Sequence, residues 1–283
     1  MECSTLTYTT AVIEVGDQHT NSTVGLSAPA VNLDDGGTYH LNRTQQWLWH
    51  CWLEIWHDFA SVPAVRKIVV WKGDTAELDT KRRSVQLISI NKATVFKLLI
   101  RTMEPALDVA DANVFIRGTQ AHVGRGAWIE ETIADDCTTA IRDKEHGTAS
   151  WYQCRPVIDG VRFDLSHHAG LGRRWWTKNT SAAALAAEVA VDYVIGMGQP
   201  PPNIVSRSHN HRLAEGTADT YNTLVQVQYT PAWTTATEFA YRSGFENKYA
   251  DIGAVMWLIK DGQYERRILR FKPDTRRIWA IKI

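Results

Sequence analysis

Residues 11–19 read Ala-Val-Ile-Glu-Val-Gly-Asp-Gln-His, a short β-branched run that stops at a glycine and then presents an acid and an imidazole two positions apart. The run predicts a buried strand over Ala11 to Val15, with Asp17 and His19 just past its C-terminal end. Lys67 to Trp71 repeats the arrangement and ends in Lys72-Gly73-Asp74. Between the two, Leu48, Trp52, Ile55 and Phe59 recur at helical spacing within Thr44 to Ala60, and Asn42 or Thr44 supplies a cap. Strand, crossover helix and strand make the repeating unit of an α/β fold.

The unit recurs downstream. Asn91 to Met103 reads as a helix, and Asn113 to Ile116 as a strand ending in Arg117-Gly118-Thr119. Trp128 to Ile141 reads as a helix and Val161 to Leu165 as a strand ending in Ser166-His167-His168. Ser181 to Ile195 is an Ala-rich helix closed by Gly196. Ile204 to Arg207 is a strand ending in Ser208-His209-Asn210-His211. From about residue 223 the pattern turns to β-hairpins, with Asp261-Gly262 a turn between Ala254 to Ile259 and Arg266 to Phe271. No repeat, low-complexity tract or long linker divides the chain, which predicts one domain over residues 1–283.

Lys plus Arg and Asp plus Glu both number 31, so there is no overall positive field to hold nucleic acid, and any such contact is local. Met1 to Thr10 is polar and no apolar run approaches a membrane span, which predicts a soluble, cytoplasmic protein with no membrane partner. Cys3, Cys51, Cys137 and Cys154 lack CxxC spacing and read as reduced thiols. Trp52 and Trp56 share a helical face with Leu48, Ile55 and Phe59 and read as core. Trp49 points off that face, toward a partner or substrate surface. No Walker loop and no Gly-x-Ser-x-Gly elbow is present.

What remains is a recurrence of Asp, His and amide side chains just after strands: Asp17 and His19, Asp74, Gln120 and His122, His167 and His168, and His209 and His211. Strand ends of an α/β sheet converge on one edge, where loops build sites. Imidazole mixed with carboxylate suits zinc, manganese or iron, whereas an all-oxygen calcium or magnesium site has no use for so many histidines.

In this order the blocks resemble the calcineurin-like metallophosphoesterases, whose pattern runs Asp-x-His, Gly-Asp, Gly-Asn-His, a His after a strand, and Gly-His-x-His. The resemblance covers roughly residues 11–212. It is nearest to divergent members from phage and metagenome sequences, whose third block Gly-Thr-x-Ala-His-Val-Gly is matched by Gly118 to Gly124. It implies a β-sandwich of two mixed sheets flanked by helices, four layers in the order αββα, holding two divalent metal ions (Mn, Zn or Fe). It also implies that Asp17, His19 and His211 hold one ion, that His209 with His167 or His168 holds the other, and that Asp74 bridges them. The family Asn is replaced by Thr119, and Gln120 is the favoured substitute ligand, with Thr119 the alternative. Ser208 stands where the family has Gly.

The chemistry implied is hydrolysis of a phosphate ester. Two cations about 3.5 to 4 Å apart lower the pKa of a shared water for in-line attack, and His122 protonates the leaving oxygen. Arg173, Arg174 and Trp175, with Trp176 and Lys178, follow the His167-His168 block closely enough to meet a substrate phosphate or base. The expectation is therefore a phosphodiesterase acting on a nucleotide or nucleic acid, with a phosphomonoesterase as the alternative. The altered third block motivates a reading of another class, a metal-stabilised binding or assembly module with weakened turnover.

Overall fold

The computed structural model describes residues 7–80, 86–172, 174, 176–220, 222–236 and 250–273. In chain order the elements begin with β1 (Tyr8–Val15), the short pair β2 (Val31–Asn32) and β3 (Thr38–Tyr39), α1 (Arg43–Ser61), β4 (Ala64–Trp71), α2 (Lys92–Leu107) and β5 (Ala112–Phe115). There follow the single turn α3 (Gln120–Val123), α4 (Trp128–Asp136), β6 (Gln153–Cys154), β7 (Val157–Ile158), β8 (Val161–Ser166) and α5 (Lys178–Val191). The remainder is all strand: β9 (Ile204–Arg207), β10 (Ala214–Thr220), β11 (Thr223–Tyr229), β12 (Ile252–Lys260) and β13 (Gln263–Phe271).

Two mixed sheets form the centre. The first runs β13-β12-β1-β4-β5, with β1, β4 and β5 parallel and the β12–β13 hairpin antiparallel beside them. The second runs β10-β11-β9-β8-β6, with β8, β9 and β11 parallel. Side chains alternate across each strand. Val12, Ile68, Val70, Val114 and Trp257 meet Phe163, Leu165 and Ile204 of the second sheet. Ile13, Val15, Val69, Trp71 and Phe115 face α1, α2 and α4 on the other side. Ala182, Ala186 and Ala190 of α5 cover the outer face of the second sheet against Val225, Val227 and Tyr229. The order is helix, sheet, sheet, helix, the αββα sandwich that the resemblance implies.

The helices begin where their caps dictate. Asn42 accepts a hydrogen bond from the Gln45 amide at 3.0 Å, and Gln45 Oε1 accepts from the Asn42 amide at 3.3 Å, closing a capping box at the start of α1. The face carrying Leu48, Trp52, Ile55, Trp56 and Phe59 is buried. Trp52 donates its indole N–H to Thr102 O of α2 at 2.9 Å, and truncating so large a buried ring costs about 3–5 kcal/mol.

Four sequence expectations change. The helix expected to reach Ile141 stops at Asp136, because the chain beyond turns alongside β5: Asn113 N–H donates to Thr139 O and Ile141 N–H donates to Asn113 O. The Ala-rich helix starts earlier, at Lys178, and its end loosens into a π-helical turn over Asp192–Gly196. The β-rich part starts at Ala214 rather than near 223. β10 is an edge strand whose polar, half-exposed residues give no β-branched run to read. Trp49 points only in part off the core, since it is half-buried and packs against Ala28, Val31 and Leu98. No helix among the described residues is long and apolar enough to cross a membrane.

Candidate metal centre

Every chemistry-bearing block sits at the C-terminal end of a parallel strand, and the loops that carry them are tied to one another by backbone. Asp17 N–H donates to Gly73 O, His19 N–H to Asp74 O and Thr20 N–H to Thr75 O, at 2.9 to 3.0 Å. The first two loops thus run as a pair. Ser208 N–H donates to His167 O at 2.9 Å and joins the last two. Asp17, His19, Asp74, His209 and His211 all adopt positive φ, between 46° and 68°. This conformation costs an ordinary L-residue roughly 1–2 kcal/mol. Here it turns side chains from three separate segments toward common points.

Four groups of ligand-type atoms result, each with its atoms within 4.8 Å of one another: Asp17, His19 and His211; His167, His168 and His209; Asp17, Asp74 and His167; and His19, Glu77 and His122. In the first, His19 Nε2 lies 3.2 Å from His211 Nε2, which lies 3.4 Å from Asp17 Oδ1. That carboxylate oxygen is buried and has no hydrogen-bond partner. His19 gives its Nδ1 proton to Glu77 Oε2 at 2.7 Å, so in the neutral ring the Nε2 lone pair points at His211. His167 is held likewise by Lys72 O at 2.6 Å from Nδ1, with Nε2 directed to Asp74 Oδ2 at 3.1 Å. An imidazole oriented through its far nitrogen by a carboxylate or carbonyl is the usual support of a metal ligand.

The electrostatics have the same sense. Burial pushes the Asp17 carboxyl up, but His211, 3.4 Å away, and the charge of His167 outweigh it and hold Asp17 below the usual carboxylate range. Burial opposes ionisation of Asp74 too, and His167, His209 and His19 overcome it by a wide margin. Burial pulls His167 down, yet Asp74 and Asp17 raise it to about 9. Two buried carboxylates that draw a proton onto a buried imidazole form a site with an unmet demand for positive charge. An orphaned carboxylate oxygen, opposed imidazole nitrogens and the mix of nitrogen and oxygen donors all fit divalent transition metals.

Gln120, the favoured amide ligand, opens α3 and is exposed, while Thr119 Oγ1 stands 3.3 Å from His167 Nε2, 3.1 Å from His168 Nε2 and 3.2 Å from His209 Nδ1. The Thr119 amide donates to Asp74 Oδ1 at 2.5 Å. His168 joins the second group beside His167 rather than replacing it. His122 lies next to the first, its ring edge-on to His19 with centroids 4.6 Å apart. Arg174 is exposed and stacks on Trp176 at 5.4 Å, while Arg173 and Trp175 lie outside the described residues.

Two glutamates absent from the sequence reading organise this edge. Glu77 Oε2 accepts from both His19 and His122, at 2.7 and 2.8 Å. Burial would raise Glu77, but those two imidazoles bring it down to about 2. Glu130, in the first turn of α4, accepts from the Gly118 amide at 2.6 Å and from the Thr75 amide and hydroxyl at 3.2 Å. Burial, then the charge of Asp74, pushes it up to about 7. Glu77 follows Asp74 by three residues, a spacing that sequence could have flagged. Glu130 lies inside an amphipathic helix and carries no such signal.

No family profile matches the chain, and no curated protein does. Solved structures resemble it at low identity. A Thermotoga maritima protein determined by solution NMR is 10% identical with a TM-score of 0.37, covering 92% of this chain and 98% of its own. Vacuolar Protein Sorting 29 from Cryptosporidium parvum is 10% identical with a TM-score of 0.35, covering 94% and 100%. The sulfate thiohydrolase SoxB of Thermus thermophilus, in complex with glycerol, is 9% identical with a TM-score of 0.43, covering 94% of this chain and 57% of its own.

Proposed function

We propose that the protein is a metal-dependent phosphoesterase of the calcineurin-like kind, acting on a phosphodiester of a nucleotide or nucleic acid. The observation that carries the reading is the convergence of Asp17, His19, Asp74, His167, His209 and His211 from separate strand ends, with His122 held beside them by Glu77. Asp17, His19 and His211 would hold one ion, His167 and His209 the other, and Asp74 would serve both. When bound, two divalent cations supply a water of lowered pKa and offset the charge that builds on phosphoryl oxygens. The chain's own part is positioning and proton delivery. Glu77 grips His122 by Nδ1, and Nε2, the ring's other nitrogen, carries the proton for the leaving oxygen. The His122 side chain is 26% exposed, within reach of substrate, whereas Asp17 and Asp74 are sealed from bulk water. The Arg174–Trp176 stack on the segment after His168 supports a substrate that pairs a phosphate with a base.

A second reading, a metal-stabilised binding module, is motivated by Thr119 standing where an amide ligand was expected. One assay separates the two. Chelator-stripped protein is given Mn, Zn, Fe(II) or Mg separately and tested on bis(4-nitrophenyl) phosphate and on 4-nitrophenyl phosphate, beside Asp74→Ala. Diester turnover that returns with a transition metal and is lost in Asp74→Ala is expected. Turnover of the monoester alone reverses the substrate preference, and metal uptake without turnover of either favours the module.

A further inference from the structure

Thr119 Oγ1 is surrounded by three imidazole nitrogens, from His167, His168 and His209, at 3.1 to 3.3 Å. A hydroxyl has one proton to give, so it can donate to one of these nitrogens at most. His167 places its Nδ1 against the Lys72 carbonyl, which leaves Nε2 facing this point and Asp74 Oδ2. Whichever tautomers the rings take, three imidazole nitrogens from two strand ends converge on a point that a single hydroxyl occupies. His168 is no accidental neighbour, because its ring packs edge-on against His167 and tilted against His209, with centroids 4.6 and 4.9 Å away. Asp74 Oδ2 borders the group, 3.1 Å from His167 Nε2 and 3.8 Å from His209 Nδ1.

We propose that His168 is itself a ligand of the second metal, so that this pocket is built from three imidazoles and Asp74, with Thr119 as a bystander that fills the space of an amide. The proposal rests on the two-metal reading above and refines it. Exchanging an amide oxygen for an imidazole nitrogen shifts a pocket toward zinc and other late transition metals and away from magnesium and manganese. The two pockets then differ in character. The first keeps a carboxylate of its own, Asp17, whereas the second shares its single carboxylate.

The test is metal stoichiometry and affinity, measured by elemental analysis and zinc competition on the full chain, independently of turnover. Wild type is expected to bind two zinc ions. His168→Ala is expected to keep one at wild-type affinity and to lose the other by more than about 100-fold, beyond the roughly 10- to 100-fold that follows loss of a group that only orients a ligand. His168 is exposed, so the variant should fold, which its thermal unfolding without metal checks. Adding Thr119→Asn to His168→Ala is expected to restore a second site that accepts manganese better than wild type does. If His168→Ala binds two zinc ions as tightly as wild type, or weakens one by 100-fold or less, ligation by His168 is overturned while the two-metal reading stands. No gain from Thr119→Asn overturns the claim that the imidazole and the amide serve one position. Wild type that binds no second metal at all overturns both.

Discussion

The two ends of the sandwich use the same backbone conformation for opposite purposes. At the site end, Asp17, His19, Asp74, His209 and His211 take positive φ. At the far end, Asp159 and Gly160 between β7 and β8, and Asp261 and Gly262 between β12 and β13, take it as well, with φ from 46° to 83°. There the left-handed residues make two-residue hairpin turns, for which Asp-Gly is the favoured pair. The two turns meet, and the Asp159 carboxylate accepts from the Thr10 hydroxyl of β1 at 2.5 Å, a structural tie and not a ligand. At the site end no glycine relieves the five positions, because the side chains are needed there. Strain is held where ligand atoms must share a point and is discharged into glycine where only the direction of the chain matters.

If that division is right, changes at the site end should cost function and changes at the far end should cost only stability. The largest effect is expected from His122→Ala. Turnover should fall roughly 10²- to 10⁴-fold, the usual contribution of a positioned acid or base, with metal content unchanged, as activity and elemental analysis would read. Loss of both metals instead would make His122 part of the metal cage and not the proton carrier. Next comes Gly118→Ala. A β-carbon at 118 would overlap the backbone nitrogen and carboxylate of Asp74. Displacing a shared ligand by about 1 Å costs on the order of 100-fold in rate, and metal affinity should fall with it. A Gly118→Ala protein that retains both metals and full rate would show that Asp74 is not held at the position inferred for it.

Much of this edge could be read from sequence for a simple reason. β1, β4, β5, β8 and β9 are short apolar runs stopped by Gly, Ser or a polar residue, so their ends, and the acids and imidazoles just past them, are local features. Glu130 was not readable, because its importance comes from meeting Gly118 and Thr75 across the fold, a contact no spacing encodes. Sequence left Thr119 and Gln120 as alternatives, and the fold sets Thr119 Oγ1 among three imidazoles while α3 opens at an exposed Gln120. The edge strand β10 and the early end of α4 were missed because packing and an extended segment beside β5 decide them.

Beneath the site, between the sheets, lies a smaller stabilising device. Lys72 is fully buried and donates to Ser166 O and Ser206 O at 3.0 and 2.9 Å, clamping the ends of β8 and β9 just before the histidines they carry. Burial lowers it to about 8, offset in part by the charge of Glu14. Glu14 accepts from Trp257 Nε1 at 2.7 Å and from the Ser206 hydroxyl. Lys72→Met should lose about 1–3 kcal/mol, chiefly at Ser166 O, because Ser206 O also accepts from Arg207 Nη1 at 2.9 Å; urea unfolding of metal-free protein measures it. Glu14→Leu in the same chain should recover part of that loss, because the remaining carboxylate would otherwise be buried without its countercharge. A double variant less stable than Lys72→Met alone would mean that Glu14 supports the sheets without reference to the lysine.

The smallest effect is expected at the far end. Gly262 has a φ of 73°, and a β-carbon there meets nothing nearer than Asp159 O at 4.0 Å. Gly262→Ala therefore carries no steric penalty, only the conformational one of about 1–2 kcal/mol for an L-residue in the left-handed region. Urea unfolding should show that loss while zinc stoichiometry and diester turnover stay at wild-type values. β12 pairs with β1 from Thr10 opposite Ile259 to Glu14 opposite Val255, so a continuous ladder joins this turn to the strand that leads into Asp17. A change in metal affinity in Gly262→Ala would mean that strain travels along that ladder and that the two ends are not independent. Unchanged affinity with reduced stability would mean that the site edge fixes its own geometry through the backbone bonds between its loops.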